Sequence, residues 1–197
     1  MKPSYRFYRG SYRLAHIFFK VFYFYKVKGR ENVPKGAAMI CANHSHMKDP
    51  VIISLACGIE HFVHYVAKIE LFRIPVLRAI ITKLGAISVD RDISDVSTIK
   101  TCLGYLKNND KVSIFPEGRR LASADEAAAK NGAVKLAERT GVPIVPVFLP
   151  RRKPLFRRIS VVIGEPYFIE KQESKRSAED YNKLAEELMA KIEALGG

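Results

Sequence analysis

The sequence predicts an α/β fold in which a mainly parallel sheet is flanked by helices and preceded by a short N-terminal amphipathic helix. After Gly29, short β-branched runs alternate with helical patterns, which is typical of parallel strands joined by helical crossovers. The chain has 197 residues, of which 48% are hydrophobic, enough to fill one core. We therefore predict a separate basic, aromatic segment over residues 1–29 and one α/β domain over residues 30–197.

The N-terminal segment combines positive charge with a helical apolar stripe. Residues 1–30 carry eight basic side chains and no acidic one. The spacing of one helical face is followed by Leu14, Ile17, Phe18, Val21, Phe22 and Tyr25. A helix of this kind is typical of the interface of an anionic bilayer, so we predict that this segment associates with a membrane surface.

Other interpretations of this segment are less favoured. The apolar run over residues 14–25 is interrupted by His16 and Lys20, is too short for a membrane span, and lacks a small-residue cleavage site. An aromatic stripe can also pack on its own domain, and aromatic residues among basic ones suit single-stranded nucleic acid. The net charge of +13 favours a polyanionic partner without choosing one. We expect anionic lipid and no nucleic acid.

The remaining elements follow in order along the chain. Strands are predicted at 37–42, 62–67, 86–90, 111–115, 144–149 and 159–163. Helices are predicted at 50–57, 76–84, 94–108, 131–140 and 178–194. Gly141 is suited to end the fourth of these helices, and Ser177 with Asp180 forms a capping-box pattern at the start of the last.

Two further patterns have structural interpretations. The basic cluster RRKPLFRR, residues 151–158, is typical of a solvated loop facing water or lipid headgroups. Three cysteines, Cys41, Cys57 and Cys102, lie in apolar stretches without metal-ligand spacing. We expect them to be core thiols in a reducing compartment.

Three polar clusters each follow the carboxyl end of a predicted strand. They are residues 43–49 (NHSHMKD), residues 90–91 (DR) and residues 116–120 (PEGRR). Ligands of open α/β sheets bind at this edge, so we expect the three clusters to form one site.

His44 and Asp49 are the candidate catalytic pair. A carboxylate that holds an imidazole fixes its tautomer and raises its basicity, as a general base requires. Asp49 precedes Pro50, so it is also a candidate helix N-cap, with one oxygen available to the helix and the other to His44. No serine or cysteine lies in a nucleophile-elbow pattern, which indicates that the attacking hydroxyl belongs to the substrate.

A metal site is a poorer interpretation of the same cluster. His44 and His46 form an HxH pattern, but Asp49 lies one position too far along for the usual HxHxDH arrangement. The other candidate ligands, His61 and His64, fall on a different predicted strand. We predict no metal and no cofactor.

Cations at the ligand edge indicate an anion site. Arg91 could pair with Asp90 or Asp92, but its position favours bidentate binding of a phosphate, with Arg119 and Arg120 completing a dianion pocket.

Two neighbours shape this pocket. Glu117 is a carboxylate beside these cations, and Gly118 allows the backbone to approach a ligand, although Pro116 with Gly118 is also common turn chemistry.

Four ordered blocks of this sequence resemble those of the lysophosphatidic acid acyltransferase family, the 1-acylglycerol-3-phosphate O-acyltransferases. They are NHSHMKD, AKIELFRIP with GAISVDR, FPEGRR and VPIVPV, within residues 30–165. The resemblance implies phospholipid biosynthesis: acyl transfer from acyl-CoA or acyl-carrier protein to the sn-2 hydroxyl of 1-acylglycerol 3-phosphate, giving phosphatidic acid. Another lysophospholipid or glycerol 3-phosphate are alternative acceptors, and a non-enzymatic binder of anionic membranes or nucleic acid is a further alternative.

The resemblance also implies residue roles and a location. His44 matches the general base and Asp49 its orienting partner. Binding of the glycerol-phosphate acceptor is implied for Arg91, Glu117, Gly118 and Arg120. Lys68 is expected near the phosphate, and residues 142–147 are expected to line the acyl path. Arg119 stands where the family usually has threonine. We expect a peripheral or monotopic protein on the cytoplasmic face of the cell membrane.

Overall fold

The computed structural model describes residues 2–90, 96–121, 129–172, 174 and 176–197. Those residues form a sheet of order β1-β7-β6-β2-β5-β3-β4. Its strands are β1 (Lys26–Lys28), β2 (Ala38–Ala42), β3 (Val63–Lys68), β4 (Ile87–Val89), β5 (Lys111–Ile114), β6 (Ile144–Phe148) and β7 (Ser160–Ile163). Neighbouring strands are parallel except β6 and β7, which are antiparallel. The predicted mainly parallel sheet is confirmed.

Helices flank this sheet where the sequence predicts them. They are α1 (Tyr5–Tyr23), α2 (Asp49–Cys57), α3 (Pro75–Lys83), α4 (Val96–Lys107), α5 (Gly132–Thr140) and α6 (Ala178–Ala194). Short 3-10 helices span Arg30–Asn32 and Ile69–Arg73. Gly141 ends α5 in the left-handed conformation, and Ser177 and Asp180 form the predicted capping box of α6. The predicted start of α4, at 94–95, lies outside the described residues.

The sheet separates two apolar cores. In β2, Ala38, Ile40 and Ala42 face the core beneath α1 and α2, while Met39 and Cys41 face the core beneath α4, α5 and α6. Because both faces of β2 are covered, all five of its residues are buried, and the strand is one continuous apolar run.

The cysteines are core thiols, as predicted. Cys41, Cys57 and Cys102 are buried and free. Burial raises the pKa of the Cys57 thiol to about 12 and also raises the pKa of Cys41. Both thiols are therefore protonated and inert at neutral pH.

Helix α1 has two apolar faces with different surroundings. Tyr8, Phe19 and Tyr23 are buried against the domain, and two members of the predicted stripe, Phe22 and Tyr25, are partly buried against the same core, whereas the other four are exposed. Its exposed members are Leu14, Ile17, Phe18 and Val21, with exposed fractions of 73, 63, 43 and 54%. The helix therefore packs on its domain and still presents an apolar surface.

The predicted apolar stripe runs to Tyr25, which lies past the observed end of this helix. α1 stops at Tyr23 because Phe24 adopts a left-handed conformation, with φ of 43°. Tyr25 lies beyond the helix, and its hydroxyl contacts Nδ1 of His16 at 2.6 Å. None of the described helices is both long enough and apolar enough to cross a bilayer.

The C-terminal end of α2 is held by the N-terminal part of the chain. The hydroxyl of Tyr12 donates to the carbonyl of Leu55 at 3.2 Å, and the Arg30 guanidinium donates to the carbonyls of Leu55 and Ala56 at 2.8 and 2.9 Å. These donors satisfy carbonyl groups that a helix leaves unpaired at its end. At the other end, Nζ of Lys48 lies 4.7 Å from the ring centroid of Tyr23.

Candidate active site

The candidate site lies where three adjacent strands end. β2 is central, with β6 on one side and β5 on the other, and all three run parallel. Their carboxyl ends lead into residues 43–49, residues 149–159 and residues 115–121 respectively. The first and last of these segments carry two of the predicted polar clusters, while the middle one contains the whole basic cluster, residues 151–158.

His44 and Asp49 form the expected pair. Nδ1 of His44 lies 2.9 Å from Oδ2 of Asp49, which also accepts hydrogen bonds from the backbone N–H groups of Ser45 and His46 at 2.8 and 2.7 Å. The imidazole stacks on Phe115 with ring centroids 4.0 Å apart and is 12% exposed. With Nδ1 committed to Asp49, Nε2 is the ring nitrogen that can accept a proton.

The prediction that Asp49 caps α2 is wrong. Lys48 occupies the N-cap position, and Asp49 is the first residue of the helix. Its carboxylate turns back toward the loop that precedes α2, because both backbone N–H donors to Oδ2 lie in that loop. The tight turn thus brings the histidine and the aspartate together.

Lys153, in the loop that follows β6, contacts the other carboxylate oxygen of Asp49. Its Nζ lies 2.9 Å from Oδ1 of Asp49 and donates to Oγ of Ser45 at 2.8 Å. Both ionic side chains have no exposed surface. The two oxygens of Asp49 therefore have separate partners, His44 on one and Lys153 on the other.

This contact corrects the prediction for residues 151–158. Arg152 and residues 154–158 are exposed as expected, but Arg151 and Lys153 turn inward. A basic run gives no sequence signal that distinguishes an inward lysine from its exposed neighbours, so sequence reasoning missed both residues.

Electrostatics keep Asp49 ionised. Burial by itself would raise its pKa, but the hydrogen bond from His44, the charge of Lys153 and the N–H of His46 outweigh burial and lower the pKa below its ordinary value. For Lys153, burial lowers the pKa, and Asp49 opposes that shift. The carboxylate is therefore charged and can stabilise an imidazolium beside it.

Glu117 supports the backbone of His44 from within the protein. The residue is 3% exposed; Oε2 accepts the His44 N–H at 2.8 Å, and Oε1 accepts from Arg151 at 2.9 Å. Arg151 also pairs with Glu193 of α6. Burial raises the pKa of Glu117. Burial by itself would lower the pKa of Arg151, but the hydrogen bond and ion pair with Glu117 outweigh burial and raise that pKa.

Asn43 links the same strands by its amide. The side chain donates to the carbonyl of Leu149 at 2.8 Å and accepts the Leu149 N–H at 2.7 Å, and both residues are buried. The side chain thus replaces a backbone ladder pair between the ends of β2 and β6. It fixes the point from which His44 projects.

Gly118 shapes the turn after β5. Its N–H donates to the carbonyl of Phe115 at 3.0 Å, and its φ of 67° lies in the left-handed region. A Cβ there would stand 2.8 Å from Cε of Lys130, so glycine suits both the turn and the close approach. Arg119 and Arg120 follow and are exposed.

Two other site positions were predicted, Lys68 and Arg91. Lys68 ends β3 and pairs with Glu70 at 2.8 Å. Arg91 lies outside the described residues.

An apolar cavity of about 390 Å³ adjoins the His44–Asp49 pair through Phe115. Its walls include Val66, Ile99 and Leu136, and Phe115, on which His44 stacks, belongs to the same lining. Other lining residues are Asp90, Gly118, Lys130, Lys135 and Arg139. The cavity thus joins two of the predicted polar clusters and can accept an apolar chain with its polar end near His44.

Within the ranges that the structure describes, no group of three or more His, Cys, Asp or Glu side chains could hold a metal ion. The candidate site therefore consists of the ionised pair, its supporting contacts and the adjoining cavity.

Comparison with known proteins gives concordant results. Residues 24–150 match the family described as Acyltransferase. The 1-acyl-sn-glycerol-3-phosphate acyltransferase of Bacillus subtilis is 35% identical over 148 residues, which is 72% of this chain and 72% of that protein. The protein of the same name from Borreliella burgdorferi is 35% identical over 132 residues, 62% of this chain and 50% of that one.

A solved structure shares the fold. The crystal structure of the 1-acyl-sn-glycerophosphate acyltransferase PlsC from Thermotoga maritima superposes with a TM-score of 0.71, covering 98% of this chain and 80% of that one at 24% sequence identity. At this identity the likeness speaks for the fold alone.

The buried pair of Asp49 and Lys153 gives a prediction for stability. Asp49→Asn leaves the ammonium group buried without its counter-charge and should lower the free energy of unfolding by roughly 3–5 kcal/mol. Adding Lys153→Met should restore part of that loss, with a coupling of about 1–3 kcal/mol in urea unfolding. Arg152→Met, at the exposed neighbouring position, should change stability by less than about 0.5 kcal/mol.

The coupling should also depend on pH. Because the folded protein lowers the pKa of Asp49, the stabilisation is complete above the unfolded value of about 3.9 and is lost as the pH falls through the lower folded value. Strictly additive effects of the two substitutions at neutral pH would contradict this account.

Proposed function

Because the chain belongs to the acyltransferase family, we propose that it transfers a fatty acyl chain to the sn-2 hydroxyl of 1-acylglycerol 3-phosphate, giving phosphatidic acid for phospholipid biosynthesis. The names of its relatives support this acceptor. The observation that carries the proposal is the His44–Asp49 pair beside an apolar cavity. The donor would be acyl-CoA or acyl-carrier protein.

The pair suits a direct transfer. Nε2 of His44 takes the proton of the acceptor hydroxyl while Asp49 holds Nδ1–H and stabilises the imidazolium. The resulting alkoxide oxygen attacks the thioester carbonyl, a C–O bond forms, and the C–S bond breaks. The departing thiolate recovers the proton from His44. This sequence needs no acyl-enzyme.

Lys153 and Glu117 would act as positioning residues. Lys153 binds the second oxygen of Asp49, and Glu117 binds the His44 backbone, so neither side chain needs to touch substrate. Fixing both members of the pair keeps the imidazole in a reactive geometry, where small displacements are costly. We therefore assign Glu117 to support of the catalytic loop, in place of the direct acceptor binding that the motif implied.

The acceptor phosphate would bind to the cations beyond β4 and β5. Arg120 and Arg119 are exposed next to the Gly118 turn, and we assign Arg91 to the same phosphate on its motif. Guanidinium groups suit the bidentate binding of a phosphate dianion. Arg119, in place of the usual threonine, would add one more cation to this pocket.

The donor's acyl chain would lie in the apolar cavity. Phe115 contributes to the cavity wall and stacks on His44, so a thioester carbonyl at the cavity mouth would be near the base. Lys130 and Lys135 belong to the same lining, and their positive charges would suit an anionic carrier.

Membrane docking would bring the acceptor to this site. Residues 1–30 carry basic side chains and no acidic one, and α1 exposes an apolar stripe. This combination favours binding of the segment to an anionic lipid surface. Free, protonated thiols are compatible with a reducing compartment. We infer a peripheral or monotopic position on the cytoplasmic face of the cell membrane.

Removal of the base tests the mechanism. Purified His44→Ala should lose about 10²–10⁴-fold in turnover of labelled lysophosphatidate with an acyl donor, because the substitution removes the proposed general base. His46→Ala, at an exposed histidine two residues away, should retain activity. Near-normal turnover by a folded His44→Ala protein would refute the role of His44.

An acceptor panel tests the substrate. Lysophosphatidate should give the highest kcat/KM, ahead of neutral lysophospholipids and glycerol 3-phosphate, since the proposed pocket needs both a phosphate and a neighbouring lipid. Preference for glycerol 3-phosphate would retain the chemistry and reject this acceptor.

The cavity predicts a donor-length effect. Leu136→Phe should shift the preferred donor toward shorter acyl chains, because it fills space in the wall, and Leu136→Ala should favour longer ones. The readout is the ratio of kcat/KM across a series of acyl-CoA chain lengths, which a general loss of stability would not change. Unaltered ratios in both variants would place the chain elsewhere.

A further inference from the structure

We propose that the loop between β6 and β7 is a second membrane-docking element, which inserts Leu155 and Phe156 into the same anionic leaflet as α1. This inference rests on the membrane docking in the proposed function and adds a contact that the N-terminal helix does not supply. The loop tip, defined here as residues 154–158, is exposed throughout.

The exposed aromatic residue at the tip is held in a costly conformation. Leu155 is 54% and Phe156 64% exposed, and the φ of Phe156 is 57°. A bulky residue rarely adopts the left-handed region, and such strain persists only where surrounding contacts impose it. Phe24, at the end of α1, has the same combination of a left-handed backbone and an exposed ring.

Contacts with α1 impose the conformation of Phe156. Its N–H donates to the carbonyl of Phe22 at 2.7 Å, and the two rings lie 5.7 Å apart. The ring of Phe22 in turn lies 4.8 Å from that of Phe18, a member of the exposed stripe. The loop tip therefore continues the apolar surface of α1 instead of forming a separate patch.

The charge around this surface selects an anionic partner. Arg152, Arg157, Arg158 and Lys20 are exposed, and the sequence has no acidic residue between Glu138 and Glu165 or within residues 1–30. Apolar side chains at the tip with cations behind them fit the interior and the headgroups of an anionic leaflet. An acidic carrier protein would use the cations but would not need two exposed apolar side chains.

The same loop reaches the catalytic pair. Lys153 points inward to Asp49, and two residues later the chain is exposed at Leu155. Insertion of the tip would therefore place the carboxyl ends of β2, β5 and β6, where the His44–Asp49 pair lies, against the leaflet that holds the acceptor.

A fluorescent reporter tests the insertion directly. The chain contains no tryptophan, so Phe156→Trp in the full chain gives a single-site signal. With phosphatidylglycerol–phosphatidylcholine vesicles, its emission should shift to the blue and be quenched by brominated acyl chains. Phe168→Trp is the matched control, because Phe168 is also 64% exposed and follows Tyr167, which pairs with Ile144 at the opposite end of β6. It should show neither effect.

A binding measurement gives the energetic consequence. Leu155→Ser with Phe156→Asn should weaken partition into these vesicles by at least about tenfold, since two apolar side chains lose their burial. Asparagine tolerates the left-handed backbone, so the turn is retained. Phe168→Ser should not change partition, and turnover of a short-chain acceptor below its micellar concentration should be unchanged in both variants.

The outcomes separate the proposals. If the parent chain does not bind vesicles, membrane docking by α1 and by the loop are both overturned, whatever its turnover. If it binds while the indole of the Phe156→Trp variant stays in water, only the loop proposal fails. If the loop variant keeps vesicle binding but raises KM for an acyl-carrier-protein donor and not for acyl-CoA, the loop is a donor-docking surface and the proposal is wrong. Absence of turnover in the parent chain refutes the chemistry and leaves the insertion result standing.

Discussion

A single buried carboxylate organises the candidate site. Oδ2 of Asp49 contacts the His44 imidazole and two backbone N–H groups, and Oδ1 pairs with the ammonium group of Lys153. Taking two charges out of water costs several kcal/mol each, and only close pairing with additional hydrogen bonds offsets that cost. The loop before α2, the loop after β6 and the start of α2 are therefore fixed relative to one another by the same group.

The sheet order explains why these contacts are possible. β2 lies between β5 and β6, so each neighbouring strand can send a loop across its carboxyl end. From β5 comes Glu117, which holds the His44 backbone, and from β6 comes Arg151, which holds Glu117. β4 is three positions away from β2, roughly 14 Å at the usual strand spacing, and its end lines the apolar cavity beside this site.

Sequence reasoning predicted the elements with strong local signals. The apolar runs of β2 and β6 and the Ser177 capping box carry their own pattern, and the structure has them where they were expected. β1 was missed because Lys26–Lys28 is a three-residue edge strand with only one apolar side chain, too short for a period to be visible. The direct contact of His44 with Asp49 was predicted because only four residues separate them where the chain passes from a strand to a helix. The inward turn of Lys153 depends on a partner far earlier in the chain, for which a charge run has no local signal.

The ties at the C-terminal end of α2 have a mechanical consequence. This helix has nine residues, about 14 Å of rigid rod, with Asp49 at one end and carbonyls held by Tyr12 and Arg30 at the other. A tilt of α1 would be passed along that rod as a displacement of the carboxylate. The packing of α1 on the domain thus supports the position of Asp49, and the orientation of the His44 imidazole depends on how firmly α1 is held there.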